Sequence, residues 1–210
     1  MYTPSAFRQN DLPTLHALID QVRLAVLVSH GKSGIQASHL PLLLIPEEGE
    51  FGTLYGHFAR GNEHWQALTG GAEALAIFQG VDAYVSPSYY PSKAEHGKVV
   101  PTWNYTAVHA SGRVEVFDDA DRLLSLVSRL SDRQEASRSQ PWAVSDAPRD
   151  YIDGLLKAIV GFAMPIRKLD GQWKLSQNRS NADSEGVREG LAAADRMGDR
   201  QTSEVMKRPG

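Results

Sequence analysis

Apolar residues recur at Leu12, Leu15, Leu18, Ile19 and Val22. That spacing marks one face of a helix, with Asp11 placed to cap it and Pro13 in its first turn. From Leu24 the texture changes. LAVLVSH, IQASHLPLLLI, TLYGHFA, EALAIFQG and AYVSP are short β-prone runs set apart by turns such as HGKSG and PEEGEFG, the pattern of a barrel or sandwich. Between Phe58 and Gly70 a helix interrupts them, capped by Asn62 and with Trp65 and Leu68 on one face. After the strand VVPTWNYTAVHASGRVEVF, Asp118 or Asp119 opens a second helix whose stripe is Leu123, Leu124, Leu126, Val127 and Leu130. The polar, proline-bearing RQEASRSQPWAVSDAP is a connecting loop. Pro148 then starts a third helix that buries Tyr151, Ile152, Leu155, Leu156 and Ile159. A last β segment, GFAMPIRKL, turns at Asp170-Gly171 into QWKLSQNRS. From about Asn181 the chain is charged and Gly-punctuated, and it is expected to be a fraying helix or a disordered tail. The expectation is one domain over residues 1–180, mainly β with flanking helices (α+β), followed by a tail over 181–210.

The chemistry concentrates in a few stretches. In LYGHFARGNEHW, strand alternation puts His57 and Ala59 on one face and Phe58 and Arg60 on the other. Arg60 falls at the strand end, Gly61 lets the backbone bend, and Asn62 caps a helix whose first amides favour anions. A guanidinium beside such amides suits a phosphate, because Arg offers two donors at once and stays charged. The same residues also describe a surface Arg before an ordinary capped turn. In VVPTWNY, residues Thr102, Trp103, Asn104 and Tyr105 offer a hydroxyl, an indole, an amide and a phenol in succession. Such a run can cradle a flat heteroaromatic ring, form a subunit contact or cover a barrel. In ASHLPLLL, Ser38 and His39 precede a strand interrupted by Pro41, which marks an edge, a bulge or a backbone position taken over by a ligand.

Other chemistries find little support. His39, His57, His64 and His109 fall in or near predicted strands but form no recognised metal-ligand pair, so no metal site is assigned. Ser86 and Ser88 in YVSPSYYP lack the nucleophile elbow of a hydrolase. There is no G-x-G-x-x-G and no Walker lysine motif, and no helix pair carries the short turn of a helix-turn-helix.

Composition narrows the classes further. The chain has 210 residues, 41% hydrophobic and 22% charged, enough for one large or two small cores. A formal charge of -3 does not support nonspecific nucleic-acid binding, which draws its strength from neutralising phosphates. Cysteine is absent, so there are neither disulfides nor thiolate metal sites. The start MYTPSAFRQNDLP has neither a basic leader nor an apolar core, and the longest apolar run, near Leu40 to Ile45, is too short to span a bilayer. A cytoplasmic protein without membrane attachment is the expectation.

Taken together, MYTPSAF, ASHLPLLL, LYGHFARGNEHW, AIFQGVDAYVSPSYYPSK, KVVPTWNYTAVHASG, the PWAV loop, AIVGFAMPI and KLSQNRS resemble, in that order, the PaiB-type family of FMN-binding negative transcriptional regulators. The resemblance spans residues 1–180. It implies a split β-barrel of the pyridoxamine-phosphate-oxidase type, a homodimer with FMN at the subunit interface. It places the flavin phosphate near Arg60 and Asn62, runs Ser38, His39 and Leu40 along the ring and ribityl chain, and brings Thr102, Trp103, Asn104 and Gln177 toward the ring system. His57 joins that site only where its strand twists or bulges. The resemblance also supplies the regulatory role, with flavin or redox state as the signal. The alternative it leaves open is an FMN-dependent oxidoreductase or haem-handling enzyme of the same superfamily, with His39 and Tyr105 as proton donors. DNA contact would fall to basic loops such as SDRQEASRSQ brought together in a dimer.

Overall fold

The computed structural model describes residues 1–32 and 34–207, so Ser33 of the HGKSG turn and the last three residues of the expected tail lie outside it. Among the described residues there are nine strands: β1 (Arg8–Gln9), β2 (Ala25–Gly31), β3 (Gly34–Leu40), β4 (Leu43–Ile45), β5 (Thr53–Ala59), β6 (Glu73–Val85), β7 (Thr102–Arg113), β8 (Glu115–Phe117) and β9 (Ile159–Lys174). The helices are α1 (Leu12–Gln21), α2 (His64–Ala67), α3 (Ser92–His96), α4 (Ala120–Glu135), α5 (Arg149–Leu156), α6 (Asn181–Ala192) and α7 (Met197–Met206). The hydrogen-bonded path runs β3-β2-β6-β7-β9-β5-β4, with β1 and β8 added to β9. It has two free ends, so the mainly antiparallel sheet is not closed. This is the α+β, split-barrel class expected from the strand runs. Among the described residues no helix is long and apolar enough to cross a membrane.

The chain forms two compact units, and β6, β7 and β9 contribute segments to both. One unit comprises residues 19–78 and 109–169. Its outer core places Leu123, Leu126 and Leu130 of α4 and Ile152 and Leu156 of α5 against Leu43, Ile45, Phe117 and Ala163 of the strands. Asp119 caps α4 by accepting the Arg122 amide at 2.9 Å, as its position before the apolar stripe requires. The α5 stripe is narrower than its apolar content suggests. Tyr151 and Leu155 are 60% and 47% exposed, and only Ile152 and Leu156 are buried, because an eight-residue helix lying on a sheet presents one face to it.

The other unit comprises residues 1–18, 79–108 and 170–210. Here Asp11 caps α1 through the amide and hydroxyl of Thr14, at 3.0 and 2.6 Å. The expected turn at Asp170-Gly171 does not occur, since β9 continues through both residues. Gly171 has another purpose. It pairs with Gln9 of β1, and a Cβ built on it would lie 2.2 Å from Leu15 Cδ2 and 2.8 Å from the Gln9 carbonyl. Glycine is required for close approach rather than for a reversal. Residues 181–206 form α6 and α7, with Val187 and Leu191 fully buried against Ala83, Val85 and Tyr90. Gly186 and Gly190 receive Tyr89, whose carbonyl and ring would lie 2.3 Å from added Cβ atoms.

Replacing Gly171 by Ala should therefore destabilise the protein by about 1–3 kcal/mol, the usual range for forcing a methyl into a filled site. Urea unfolding of the variant beside the parent measures it, and a change within error would show that β1 can move aside.

Candidate functional site

The segment after β5 is fixed by a buried polar network. Register pairs Leu27 with Ser38 and Ser29 with Gln36, so the Ser29 and Ser38 side chains leave the same face of the β2–β3 hairpin at diagonal positions. The His64 imidazole fits between them, with Nδ1 2.8 Å from Ser38 Oγ and Nε2 2.9 Å from Ser29 Oγ. Asn62 completes the network. Its Nδ2 donates to Ser38 Oγ at 3.1 Å, and its Oδ1 accepts the His64 amide at 3.1 Å. All three members at the centre are buried, His64 to 3% exposure. The Phe58 ring meets the imidazole edge-on at 5.3 Å. Burial pushes the His64 pKa down, which favours the neutral ring, one nitrogen donating and the other accepting.

Asn62 acts as expected of a capping side chain, but the helix it serves, α2, has only four residues and its own N-cap is Glu63. The idea of a phosphate resting on several free helix amides therefore loses most of its basis, and Arg60 is left as the main cationic feature. Arg60 lies just past the end of β5. Its amide donates to the Ala158 carbonyl at 2.7 Å, its Nε to Lys157 O at 2.8 Å and its Nη2 to Ile159 O at 3.0 Å. These acceptors are neutral, and among the described residues no carboxylate lies within ion-pair distance. The guanidinium is thus held in place without a direct ion pair. It stands on the wall of an open groove of about 550 Å³, shared with Trp65, Thr69, Arg113, Phe117 and the carboxylates of Glu115 and Asp118. Trp65 donates its indole N–H to the Arg60 carbonyl at 3.0 Å, which fixes the bend at Gly61.

His57 faces away from Phe58, as strand alternation requires. Its Nδ1 is buried and has no hydrogen-bond partner, and burial lowers its pKa. A buried ring nitrogen left unpaired costs about 1–3 kcal/mol, and β5 pairs with β9 in unbroken register from Thr53 to Ala59, without the bulge that would turn His57 toward Arg60. His39 points outward from β3, whereas Leu40 is buried in the core.

The remaining candidates belong to the other unit. Thr102 Oγ1 accepts from Lys174 Nζ at 2.6 Å, and the same ammonium donates to the Trp103 carbonyl. The Trp103 indole is half exposed and meets Tyr84 edge-on at 5.8 Å. Asn104 is fully buried, and both ends of its amide are occupied: Oδ1 accepts from Ser176 Oγ at 3.1 Å and Nδ2 approaches Met206 Sδ at 3.5 Å. Gln177 turns back on its own chain, accepting the Leu175 amide at 2.7 Å and donating to the Trp173 carbonyl. Ser176 between them has φ 68°, a left-handed conformation unusual for a residue other than glycine. In this unit Trp103 offers an open aromatic face, while the amides of Asn104 and Gln177 are committed to the fold.

The structure thus brings Ser38, Arg60 and Asn62 into one bracket and Thr102, Trp103 and Asn104 onto one strand. It adds Ser29 and His64 to the first set, and Lys174, Ser176 and Met206 to the second. His64 was visible in the sequence as the histidine two residues after Asn62, but nothing there indicated that two serines would flank it.

Residues 1–168 match the family described as "Putative FMN-binding domain", and the chain belongs to that family. It is 34% identical to an uncharacterized protein of Aspergillus fumigatus, over 91% of this chain and 90% of that one. It is 29% identical to protease synthase and sporulation protein PAI 2 of Bacillus subtilis, over 99% of this chain and 97% of that one. The fold is similar to that of an FAD and heme binding protein from Mycobacterium smegmatis, with TM-score 0.59 and 18% identity over 80% of this chain and 73% of that one. The residues present suit FMN, the cofactor of the family. A pre-oriented guanidinium without a direct ion pair is appropriate to its phosphate.

Both His57 and His64 have folded-state pKa values below the ordinary value of 6.5. The unfolded chain therefore takes up protons first as pH falls. The stability these residues contribute is complete above about pH 6.5 and is lost as pH drops from there toward the folded values. Thermal unfolding followed between pH 7.5 and 5 should show Tm falling over the lower part of the range. His57→Gln should flatten the slope, and an unchanged slope would remove His57 from the account.

Proposed function

We propose that this FMN-binding split-barrel protein holds the flavin phosphate at Arg60 and uses the bound flavin as a signal in negative regulation of transcription. The observation that carries the reading is the state of the Arg60 side chain. Two backbone carbonyls fix it, no carboxylate is ion-paired with it, and it opens on a groove. His57 and His39 lie on the strands along which the rest of the nucleotide would extend, and Trp103 offers a face for the ring system. In this reading two copies of the chain associate with FMN at their contact, and the Thr102–Asn104 and Gln177 segment approaches the ring from the second copy. The regulatory part is supported by the likeness to PAI 2, whose name ties that relative to protease synthesis and sporulation. Direct DNA contact gains nothing from a net charge of -3.

The phosphate assignment is tested by comparing FMN with riboflavin, which lacks the phosphate. Charge-assisted hydrogen bonds contribute about 1.5–3 kcal/mol. Arg60→Ala should accordingly weaken FMN binding by roughly 10- to 100-fold and leave riboflavin binding within about twofold. Quenching of flavin fluorescence reads both. Equal losses for the two ligands would mean that Arg60 only staples the connection between α5 and β9. Anaerobic stopped-flow mixing of the flavin-loaded protein with NADH or NADPH separates the sensing role from an FMN-dependent oxidoreductase. The bound flavin should stay oxidised, and rapid bleaching would assign the enzyme.

A further inference from the structure

The buried pair Ser38 and Asn62 does something other than touch the cofactor. Ser38 Oγ is occupied on two sides, by His64 Nδ1 at 2.8 Å and by Asn62 Nδ2 at 3.1 Å, and the residue is only 9% exposed. The Asn62 amide is likewise used at both ends, by Ser38 and by the His64 backbone. A hydroxyl and an amide so committed have little left to offer a ligand. What they fix is the path of the chain from Arg60 to His64. Asn62 N donates to the Ala59 carbonyl at 2.9 Å, and the Trp65 indole holds the Arg60 carbonyl at 3.0 Å. The residues next to Arg60 are thereby pinned on one side to the β2–β3 hairpin through His64, while its guanidinium is pinned on the other side to the carbonyls of Lys157 and Ile159.

We infer that Ser38, Asn62 and His64 are positioning residues for Arg60: the neutral imidazole, held between the two serines, transmits the geometry of the β2–β3 hairpin to the phosphate-binding guanidinium. This rests on the reading of Arg60 as the phosphate ligand. The physical reason is preorganisation. An arginine on a mobile bend loses rotamer and backbone freedom when it binds, whereas one already fixed binds without that loss. The network is internally satisfied, so its members do not compete with the ligand for hydrogen bonds. Replacing any one of them leaves a buried partner unpaired and lets the bend relax.

A double-mutant cycle on the full-length protein tests this, with FMN and riboflavin titrated against Ser38→Ala, Arg60→Ala and the pair. If Ser38 acts through Arg60, Ser38→Ala weakens FMN by about tenfold and riboflavin by no more than twofold. Added to Arg60→Ala, it then weakens FMN no further. A loss of FMN affinity that is additive with Arg60→Ala, or that falls equally on riboflavin, overturns the inference and gives Ser38 a direct or merely structural role. Should Arg60→Ala alone leave FMN affinity unchanged, the phosphate assignment itself fails, a result distinct from additivity. Asn62→Ala provides the same cycle from a partly exposed loop position, and it serves where Ser38→Ala does not fold. Far-ultraviolet circular dichroism of every variant establishes that the fold is retained.

Discussion

A single imidazole enclosed between two serine hydroxyls ties the bend after β5 to the first β-hairpin. In water such contacts would be exchangeable with solvent. Here every member is shielded, and each lost partner would leave a buried polar atom at a cost of about 1–3 kcal/mol. The ring is also closed in by Phe58, which packs on Phe162 of β9 at 5.3 Å. Polar satisfaction and apolar packing therefore act on the same residue. Any movement of the bend disturbs both.

Arg60 exploits that rigidity in a particular way. An arginine paired with a carboxylate would be fixed as well, but its charge would be spent internally. Backbone carbonyls orient the guanidinium through partial charges and leave it without a direct ion pair on the groove wall. The other unit treats a cation differently. Lys174 is clamped by Thr102 Oγ1 and the Trp103 carbonyl, and burial together with the nearby Arg179 charge lowers its pKa. That ammonium stabilises the local strand path and holds the backbone of Trp103 while the indole remains open. One unit thus presents a fixed charge, and the other a fixed aromatic surface.

The strand runs, the amphipathic helices α1 and α4 and their caps at Asp11 and Asp119 were legible because each depends on local period or on a side chain adjacent to the backbone it serves. The role of Arg60 was partly legible, since a guanidinium at a strand end before a capping residue is a local pattern. Its carbonyl partners were not, as they come from residues about a hundred positions later. Ser29 had no local signal either. A serine in the alternating strand LAVLVSH looks like a polar interruption until His64 is brought to the same face. The turn assigned to Asp170-Gly171 failed for a related reason. Glycine at a reversal and glycine at a close approach of a paired strand and a helix look alike in sequence, and only the approach of Gln9 and Leu15 separates them. Asn104 and Gln177 have ligand-like side chains, yet their amides are used by Ser176, Met206 and the local backbone.

The residues beyond 180 make the same point through composition. Balanced charge and repeated glycine lower the apparent amphipathicity of the segment, because a composition average treats Gly186 and Gly190 as breakers. In the folded chain these two glycines, four apart, form a channel along α6 into which the Tyr89 ring and carbonyl fit, while Val187 and Leu191 continue the same contact as apolar positions. Asp183 adds a directional element, accepting from the Ser92 amide at 3.1 Å and the Ser92 hydroxyl at 2.9 Å. A helix with only two fully buried aliphatic residues is thus specified as much by where it lacks side chains as by where it carries them. The family match ends at residue 168, before α6 begins, yet the structure uses α6 to hold the Ser86–Pro91 turn and α7 to supply Met206 to Asn104. The C-terminal helices therefore belong to the framework that shapes the aromatic strand, and they cannot be treated as an appendage to the barrel.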